Sequence, residues 1–404
     1  MRRRVVVTGT GAITPLGDGA ARLLDGWTAG DCAVEDGAAR CSGFEPAAVL
    51  SKRELRRSDR FTQLTLAAVE EAMTQAGWSG GPPFDEERVG CVVGTGIGGI
   101  ETLEGQYDAV AGQGPGAASP LGLPMLITNA AVAMVAIRHG LRGPNYAVTS
   151  ACAAGTHAIG AAVRMIQAGD ADAAIAGGAE APFAALVPRA TFTRMGALSP
   201  SGISRPFDAR RDGFVLGEGA GALVLEEAGA AEARGATVLG EVLGYGATAD
   251  AHHVSAPDPN GRGAIRAMER ALEDADVDPD DVDYVNAHGT STPLNDRVET
   301  DALKAVFGAA VRSLPVSSTK SSVGHLLGAA GAIEAVATLG ALRERVAPPT
   351  LGYEEPDDGL DLDYVPLRPR PLERRGRPDA DGRAVAISNS FGFGGHNATL
   401  CLAA

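Results

Sequence analysis

The stretch Tyr146-Ala-Val-Thr-Ser-Ala-Cys152-Ala-Ala-Gly-Thr-His-Ala-Ile-Gly-Ala-Ala162 changes character twice within a few residues. Its β-branched run predicts a strand over Tyr146 to Thr149, its small residues predict a turn at Cys152, and the Ala-rich pattern beyond predicts a helix over 153–168. A thiol in that turn faces a helix N-terminus. Unpaired N–H groups and the positive end of the macrodipole favour thiolate over thiol, which lowers the pKa and makes the sulfur a nucleophile. The competing reading is a buried structural cysteine, the commoner fate of a free Cys.

Shifting the chain by 168 places Thr149 to Ala162 over Ser317-Ser-Thr-Lys-Ser-Ser-Val-Gly-His-Leu-Leu-Gly-Ala-Ala330. Ser150/Ser318, His157/His325, Gly160/Gly328 and two Ala pairs are identical, and Cys152 falls opposite Lys320. Both segments have a strand-turn-helix form, so the chain reads as an internal duplication of two similar α/β halves. Elsewhere strand-like runs (Val5 to Thr8, Val89 to Val93, Ala173 to Ala176, Ala220 to Leu225, Tyr284 to Asn286, Val316 to Ser318, Ala384 to Ser388, Ala398 to Leu402) alternate with helical stretches at 61–76, 262–275 and 327–344. That alternation predicts helices layered on sheets.

Bulk properties narrow the setting. With 404 residues, 45% of them hydrophobic and 21% charged, the chain can bury a large core. No window approaches the roughly 18 uninterrupted apolar residues of a membrane span, and the N-terminus runs directly into a strand, so no membrane association and a cytoplasmic location are expected. A net charge of −15 argues against nucleic acid as a partner. Five scattered cysteines without CxxC pairs argue for reduced thiols rather than a disulfide framework or a zinc site.

Four further motifs invite a functional reading. Asn286-Ala-His288-Gly-Thr290-Ser-Thr292-Pro-Leu-Asn-Asp296-Arg-Val-Glu299 puts His288 in a polar loop at a strand end, where functional groups emerge from α/β sheets. Either histidine, His288 or His325, could be a hydrogen-bonded structural residue, but with the duplication they suggest a Cys-His-His site. Ile387-Ser-Asn-Ser-Phe391-Gly-Phe393-Gly-Gly395 is a strand running into a Gly-rich turn, either a tight hairpin or a loop presenting a backbone N–H as an oxyanion donor. Gly94-Thr-Gly96-Ile-Gly-Gly99 satisfies GxGxxG, yet residues 112–120 hold no acid for a dinucleotide ribose and contain Pro115 and Pro120, which makes an oxidoreductase a remote alternative. Lys52, Arg53, Arg56, Arg57 and Arg60 form a basic cluster of helical spacing, readable as a solvated face or as a docking patch for an acidic partner.

Together with Val5-Val-Val-Thr-Gly-Thr-Gly-Ala-Ile-Thr-Pro-Leu-Gly17 and Arg205-Pro-Phe-Asp208…Arg211-Asp-Gly-Phe-Val-Leu-Gly-Glu-Gly219, these segments resemble the β-ketoacyl-[acyl carrier protein] synthases of the thiolase superfamily. The likeness is to synthase II of fatty acid synthesis and the ketosynthases of bacterial polyketide pathways. Cys-His-His is the pattern of the elongating enzymes; thiolases proper pair the nucleophile with a His and a second Cys, and chain-starting synthases use His and Asn. The resemblance implies a layered α-β-α-β-α fold, with an N-terminal half at 1–240 carrying the cysteine and a C-terminal half at 241–404 carrying both histidines.

It also implies roles. Cys152 would accept the acyl group, and His288 and His325 would act on a malonyl extender as neutral Nε2–H donors. Lys320 would be an electrostatic partner near His325, and Glu299 would orient the Lys320 region. Backbone N–H groups of Cys152 and Phe393 would form the oxyanion hole, with Phe393 gating the acyl channel. Ile97, Thr290, Thr292, Phe391 and Gly394 would contact substrate, while Lys52, Arg53, Arg56 and Arg57 would dock the acyl carrier protein. No metal or other cofactor is required. The partner subunit would be a second copy or a chain-length-factor-like chain. The loop at Leu294 to Thr300 looks more like the polyketide version. Between Leu198 and Arg205 the chain is shorter than in synthase II, with no docking arginine evident near Pro200 and Ser201.

Overall fold

A computed structural model describes residues 2–376 and 382–404. Ten strands form its central framework: β1 (Val5–Thr14), β2 (Val89–Gly94), β3 (Asn145–Val148), β4 (Ala173–Glu180), β5 (Gly219–Glu227), β6 (Gly240–Ala249), β7 (Tyr284–Asn286), β8 (Val316–Ser317), β9 (Val385–Gly392) and β10 (His396–Ala403). Six helices cover them: α1 (Arg60–Gln75), α2 (Ala130–His139), α3 (Ala154–Ala168), α4 (Arg262–Ala275), α5 (Pro293–Phe307) and α6 (Ala330–Glu344).

The strand order reveals the duplication directly. From the centre outward the first half runs β1-β5-β4-β2-β3 and the second runs β6-β10-β9-β7-β8. Each half pairs its first strand antiparallel to its last, the last antiparallel to the fourth, and then continues parallel through the second and third. A short antiparallel contact, Val6 opposite Glu241 and Val7 opposite Gly240, joins the two sheets.

Helices α3 and α6 lie between the sheets, in one apolar cluster that draws side chains from both halves. Helix α6 is buried around nearly its whole circumference, consistent with its run of Ala, Gly, Ile, Val and Leu. Helices α1 and α2 cover the outer face of the first sheet, and α4 and α5 cover that of the second. The molecule is therefore an α/β protein of five layers, α-β-α-β-α. Among the described residues no helix is long and apolar enough to cross a membrane.

Strand β6 escapes a sequence reading because Gly240, Gly244 and Gly246 dilute its β-branched pattern. The close packing of α4 requires two of those glycines. A Cβ on Gly244 would lie 2.2 Å from the Ala271 carbonyl oxygen, and one on Gly246 2.0 Å from that of Ala267. Gly9 and Gly11 on β1 stand in the same relation to Ala72 and Ala68 of α1, each at 2.0 Å. The first strand of each half thus uses a Gly-x-Gly pair to admit a helix at backbone contact.

The sequence register of the repeat needs correction. Helices α3 and α6 are both 15 residues long, but they begin at Ala154 and Ala330, a spacing of 176 rather than 168. Their first turns pack on each other. A Cβ on Gly155 would meet the Ala332 N–H nitrogen at 2.8 Å, and one on Gly331 would meet Thr156 Oγ1 at 2.0 Å. The extra residues of the second copy form a four-residue helical turn, Lys320–Val323, followed by an irregular segment through His325. Between Ala/Gly-rich segments chance identities are frequent, so the match at 168 aligned the turns and misplaced the helix.

Candidate active site

Chain direction turns sharply between β3 and α3. Ala151 has a φ of 49°, in the left-handed region that costs a non-glycine residue on the order of 1–3 kcal/mol. The strained turn presents the Cys152 side chain to a cavity instead of to the core between the sheets. The adjacent hairpin of β9 and β10 lies directly against it: a Cβ on Gly392 would sit 2.9 Å from the Ser150 carbonyl oxygen and 3.1 Å from the Cys152 nitrogen. In this arrangement the Phe393 N–H hydrogen-bonds the sulfur.

Burial pushes the Cys152 thiol up to about 12, even though the Lys320 cation and the Phe393 N–H pull it down. The carboxylates of Glu180 and Glu334 oppose them. The expectation of a depressed pKa from the helix terminus is therefore overturned. Cys152 is only 8% exposed, and removing the ion from water outweighs the favourable dipoles.

His288 follows β7, and α5 holds its loop from below. Glu299 accepts the N–H groups of His288 and Gly289, both at 2.8 Å, as well as the Asn389 side-chain amide at 3.2 Å. Glu299 thus supports His288 and not Lys320, contrary to the expectation. The acid paired with Lys320 is Glu334 of α6, and the two side chains are 1% and 3% exposed. Lys320 Nζ lies 3.4 Å from His288 Nδ1, so it touches His288 directly and acts on His325, the expected partner, through its charge. The sequence does contain a signal for Glu334: it is the single acid inside the apolar run Ala330 to Leu342.

His325 is anchored by its backbone, donating its N–H to the Val215 carbonyl at 2.7 Å and accepting from Gly217 at 2.9 Å. Its Nδ1 accepts the Leu327 N–H at 3.3 Å. With Nδ1 of His325 occupied by a donor, and Nδ1 of His288 beside the Lys320 ammonium, the neutral form of each ring carries its proton on Nε2. The rings stand edge to face with centroids 5.4 Å apart. Burial, reinforced by Lys320, holds both well below the usual histidine range. Two neutral Nε2–H donors are the outcome.

Cys152, His288 and His325 line one cavity of about 550 Å³, together with Ile97, Thr290, Thr292, Phe391 and Phe393. Thr292 caps α5 through the Asn295 N–H at 3.4 Å, and its hydroxyl lies 2.9 Å from that of Thr290. Phe391 packs edge-on against His288. Gly394 does not line the cavity. Its φ of 84° turns the hairpin, and its N–H is donated to the Val254 carbonyl at 2.8 Å. Three wall residues that sequence reasoning missed are Phe192, Phe214 and Leu327. Phe214 stands edge-on to both Phe192 and His325, and Phe393 leans on Phe192.

The remaining motifs separate. Lys52, Arg53, Arg56 and Arg57 are exposed at a single capped helical turn, Lys52–Leu55. Arg60 leaves that group: it is folded inward onto Glu218 at 2.8 Å and opens α1 instead. The Gly94–Gly99 loop does join a strand to a helix. Its Gly96 and Ile97 N–H groups are bonded to the Glu180 carboxylate at 2.7 and 3.1 Å, so the donors a pyrophosphate would need are already engaged.

A layered, duplicated α/β fold with a cysteine and two histidines converging on one apolar cavity defines a thiolase-like ketosynthase. Residues 2–231 match the family described as beta-ketoacyl synthase, N-terminal domain, and residues 239–354 match its C-terminal domain. The chain belongs to the β-ketoacyl synthase family and is an acyltransferase. It is 45% identical to a Synechocystis protein named 3-oxoacyl-[acyl-carrier-protein] synthase 2, over 99% of this chain and 97% of the relative. The ishigamide ketosynthase/chain length factor structure superposes with a TM-score of 0.88 at 34% identity, covering 100% and 99% of the two chains. A type II polyketide acyl-carrier protein in complex with its ketosynthase, bound to the hexaketide, gives 0.87 at 29%, with full coverage of both chains.

Proposed function

We propose that this enzyme lengthens an acyl chain held on Cys152 by two carbons, using malonyl-[acyl carrier protein] in a decarboxylative Claisen condensation. The observation that carries this reading is the pair of neutral histidines facing the same cavity as the buried thiol. In the first half-reaction Cys152 Sγ attacks the carrier thioester, the new C–S bond forms as the old one breaks, and the thiol proton leaves with the carrier sulfur. The deep burial that raises the thiol pKa means this proton is given up during acylation, not beforehand.

In the second half-reaction malonyl-carrier loses CO₂. The resulting enolate oxygen is held by the Nε2–H groups of His288 and His325, which are in place before the charge develops. The enolate carbon attacks the Cys152 thioester. The tetrahedral oxygen is held by the N–H groups of Cys152 and Phe393, and collapse returns the Cys152 thiolate and releases 3-oxoacyl-carrier. Two protonated imidazoles beside Lys320 would repel one another; two neutral ones serve as donors.

In this reading the carrier docks through Lys52, Arg53, Arg56 and Arg57, and the enzyme works in the cytoplasm on carrier-bound substrates. A polypeptide partner is also part of it. Leu103, Tyr107, Leu123 and Ile137 are exposed on successive elements that lead to the edge strand β3 and exposed Tyr146. A second copy would cover that face; a chain-length-factor-like subunit is the second reading, favoured by the likeness to the ishigamide pair. The reaction is tested with Cys152→Ala, which is expected to show no acyl adduct by intact-protein mass spectrometry. An adduct that survives the substitution would refute the assignment.

A further inference from the structure

Glu180 ends β4 beneath the cavity, and no step of the condensation uses it. Its carboxylate is buried and saturated with donors. Oε1 accepts from the Thr95 hydroxyl and the Ile97 N–H, each at 3.1 Å; Oε2 accepts from the Gly96 N–H at 2.7 Å and the Gly328 N–H at 3.0 Å. Thr95, Gly96 and Ile97 lie in the first half, and Gly328 follows His325 in the second.

The two loops joined in this way both carry wall residues of the cavity that holds Cys152. Ile97 and Leu327, the residue before Gly328, belong to the small apolar cluster containing Cys152, Phe214 and Leu216. Leu327 has a φ of 47°, so its backbone conformation must be held by its surroundings. The fit leaves little slack: a Cβ on Gly328 would lie 2.2 Å from the Gly96 nitrogen and 2.7 Å from Glu180 Oε2.

We propose that Glu180 is a positioning residue that sets the width of the acyl pocket, fixing Ile97 against Leu327 through four hydrogen bonds, and so helps determine which acyl chains Cys152 accepts. The proposal rests on Cys152 carrying the acyl group. Burial pushes the Glu180 carboxyl up to about 7 against the pull of its four donors, and it is the ionised form that matches them, with acceptors at both oxygens and no donor of its own. A glutamine of the same shape accepts at one end only. Either the Gly96 and Gly328 N–H groups or the Ile97 N–H would then face an amide N–H₂ and lose the acceptor, while the Thr95 hydroxyl would have to turn and accept, freeing one wall relative to the other.

The test measures acylation rates of Cys152 by mass spectrometry across acetyl to palmitoyl thioesters, for the wild type and Glu180→Gln. The ratio of long-chain to short-chain rates is expected to change by about tenfold in the variant. A folded variant whose rates fall in parallel across the series, or whose ratio is unchanged, overturns the proposal, since a purely structural role would do that. If circular dichroism shows that Glu180→Gln does not fold, Thr95→Val removes one of the four donors, together with the acceptor of the Gly98 N–H, and decides the matter. A change of about twofold or more in the same ratio supports the proposal, and none overturns it. A wild-type protein that forms no adduct on Cys152 with any chain would sink the functional reading as well, and is recognised because the failure precedes any substitution.

Discussion

The turn that carries Cys152 and the turn that carries Lys320 and His325 sit in matching places in the two halves, yet they are built to different ends. In the first half β3 passes through one strained residue, Ala151, and enters α3 almost at once. In the second half the chain makes the turn Lys320–Val323 and an irregular passage through His325 before α6 begins. Because α3 and α6 pack against each other through Gly155 and Gly331, their starting points are constrained by contact. Additional residues are accommodated only in the loop. A duplicated scaffold thereby acquires one copy that presents a cysteine thiol and another that presents a cation and a histidine.

If the two turns divide the reaction in this way, substitutions in them should separate the half-reactions. The largest effect is expected from His288→Ala and His325→Ala, which should still acylate Cys152 within about tenfold of the wild-type rate while losing condensation by roughly a thousandfold. Single-turnover acylation and steady-state condensation measure the two separately. A loss of acylation exceeding that tenfold in either variant would mean that the histidine mainly activates the sulfur.

A smaller but diagnostic effect concerns Lys320. Replacing it with Met removes a cation that lowers both histidines, so their pKa values rise and each ring becomes protonated at a higher pH. If the neutral rings are the donors that hold the enolate, the acid limb of the condensation pH profile should move upward. An unmoved limb would break the proposed electrostatic link between Lys320 and the histidines. The variant also leaves Glu334 buried without its partner, which is expected to cost about 3–5 kcal/mol in chemical denaturation.

The smallest effect belongs to the surface. Charge reversal at Arg56 and Arg57 should raise KM for the carrier-bound substrate by about tenfold and leave turnover of a small-molecule thioester unchanged. Equal turnover with the carrier would remove these arginines from docking.

Much of this arrangement is legible without coordinates. The strand-turn-helix at Cys152, the His288 loop and the Phe391 to Gly395 hairpin are local patterns, because turn chemistry and hydrophobic period act over a few residues. Strand β6 is less legible, since its glycines answer to α4, a partner that lies beyond the strand itself. Glu334 and Glu180 are each a lone acid in an apolar stretch, which flags them as unusual but names no partner.

Strand-helix alternation by itself determines an α/β scaffold, and the family resemblance carried by its motifs singles out Cys152, His288 and His325. Tertiary structure decides the rest: Lys320 pairs with Glu334 and approaches His288, Glu299 supports a backbone, Gly394 turns away from the cavity, and the Cys152 thiol is raised instead of lowered. The physical reason is range. Helix and turn propensities are set by neighbours in the chain, whereas desolvation and ion pairing depend on groups that folding brings together from distant positions.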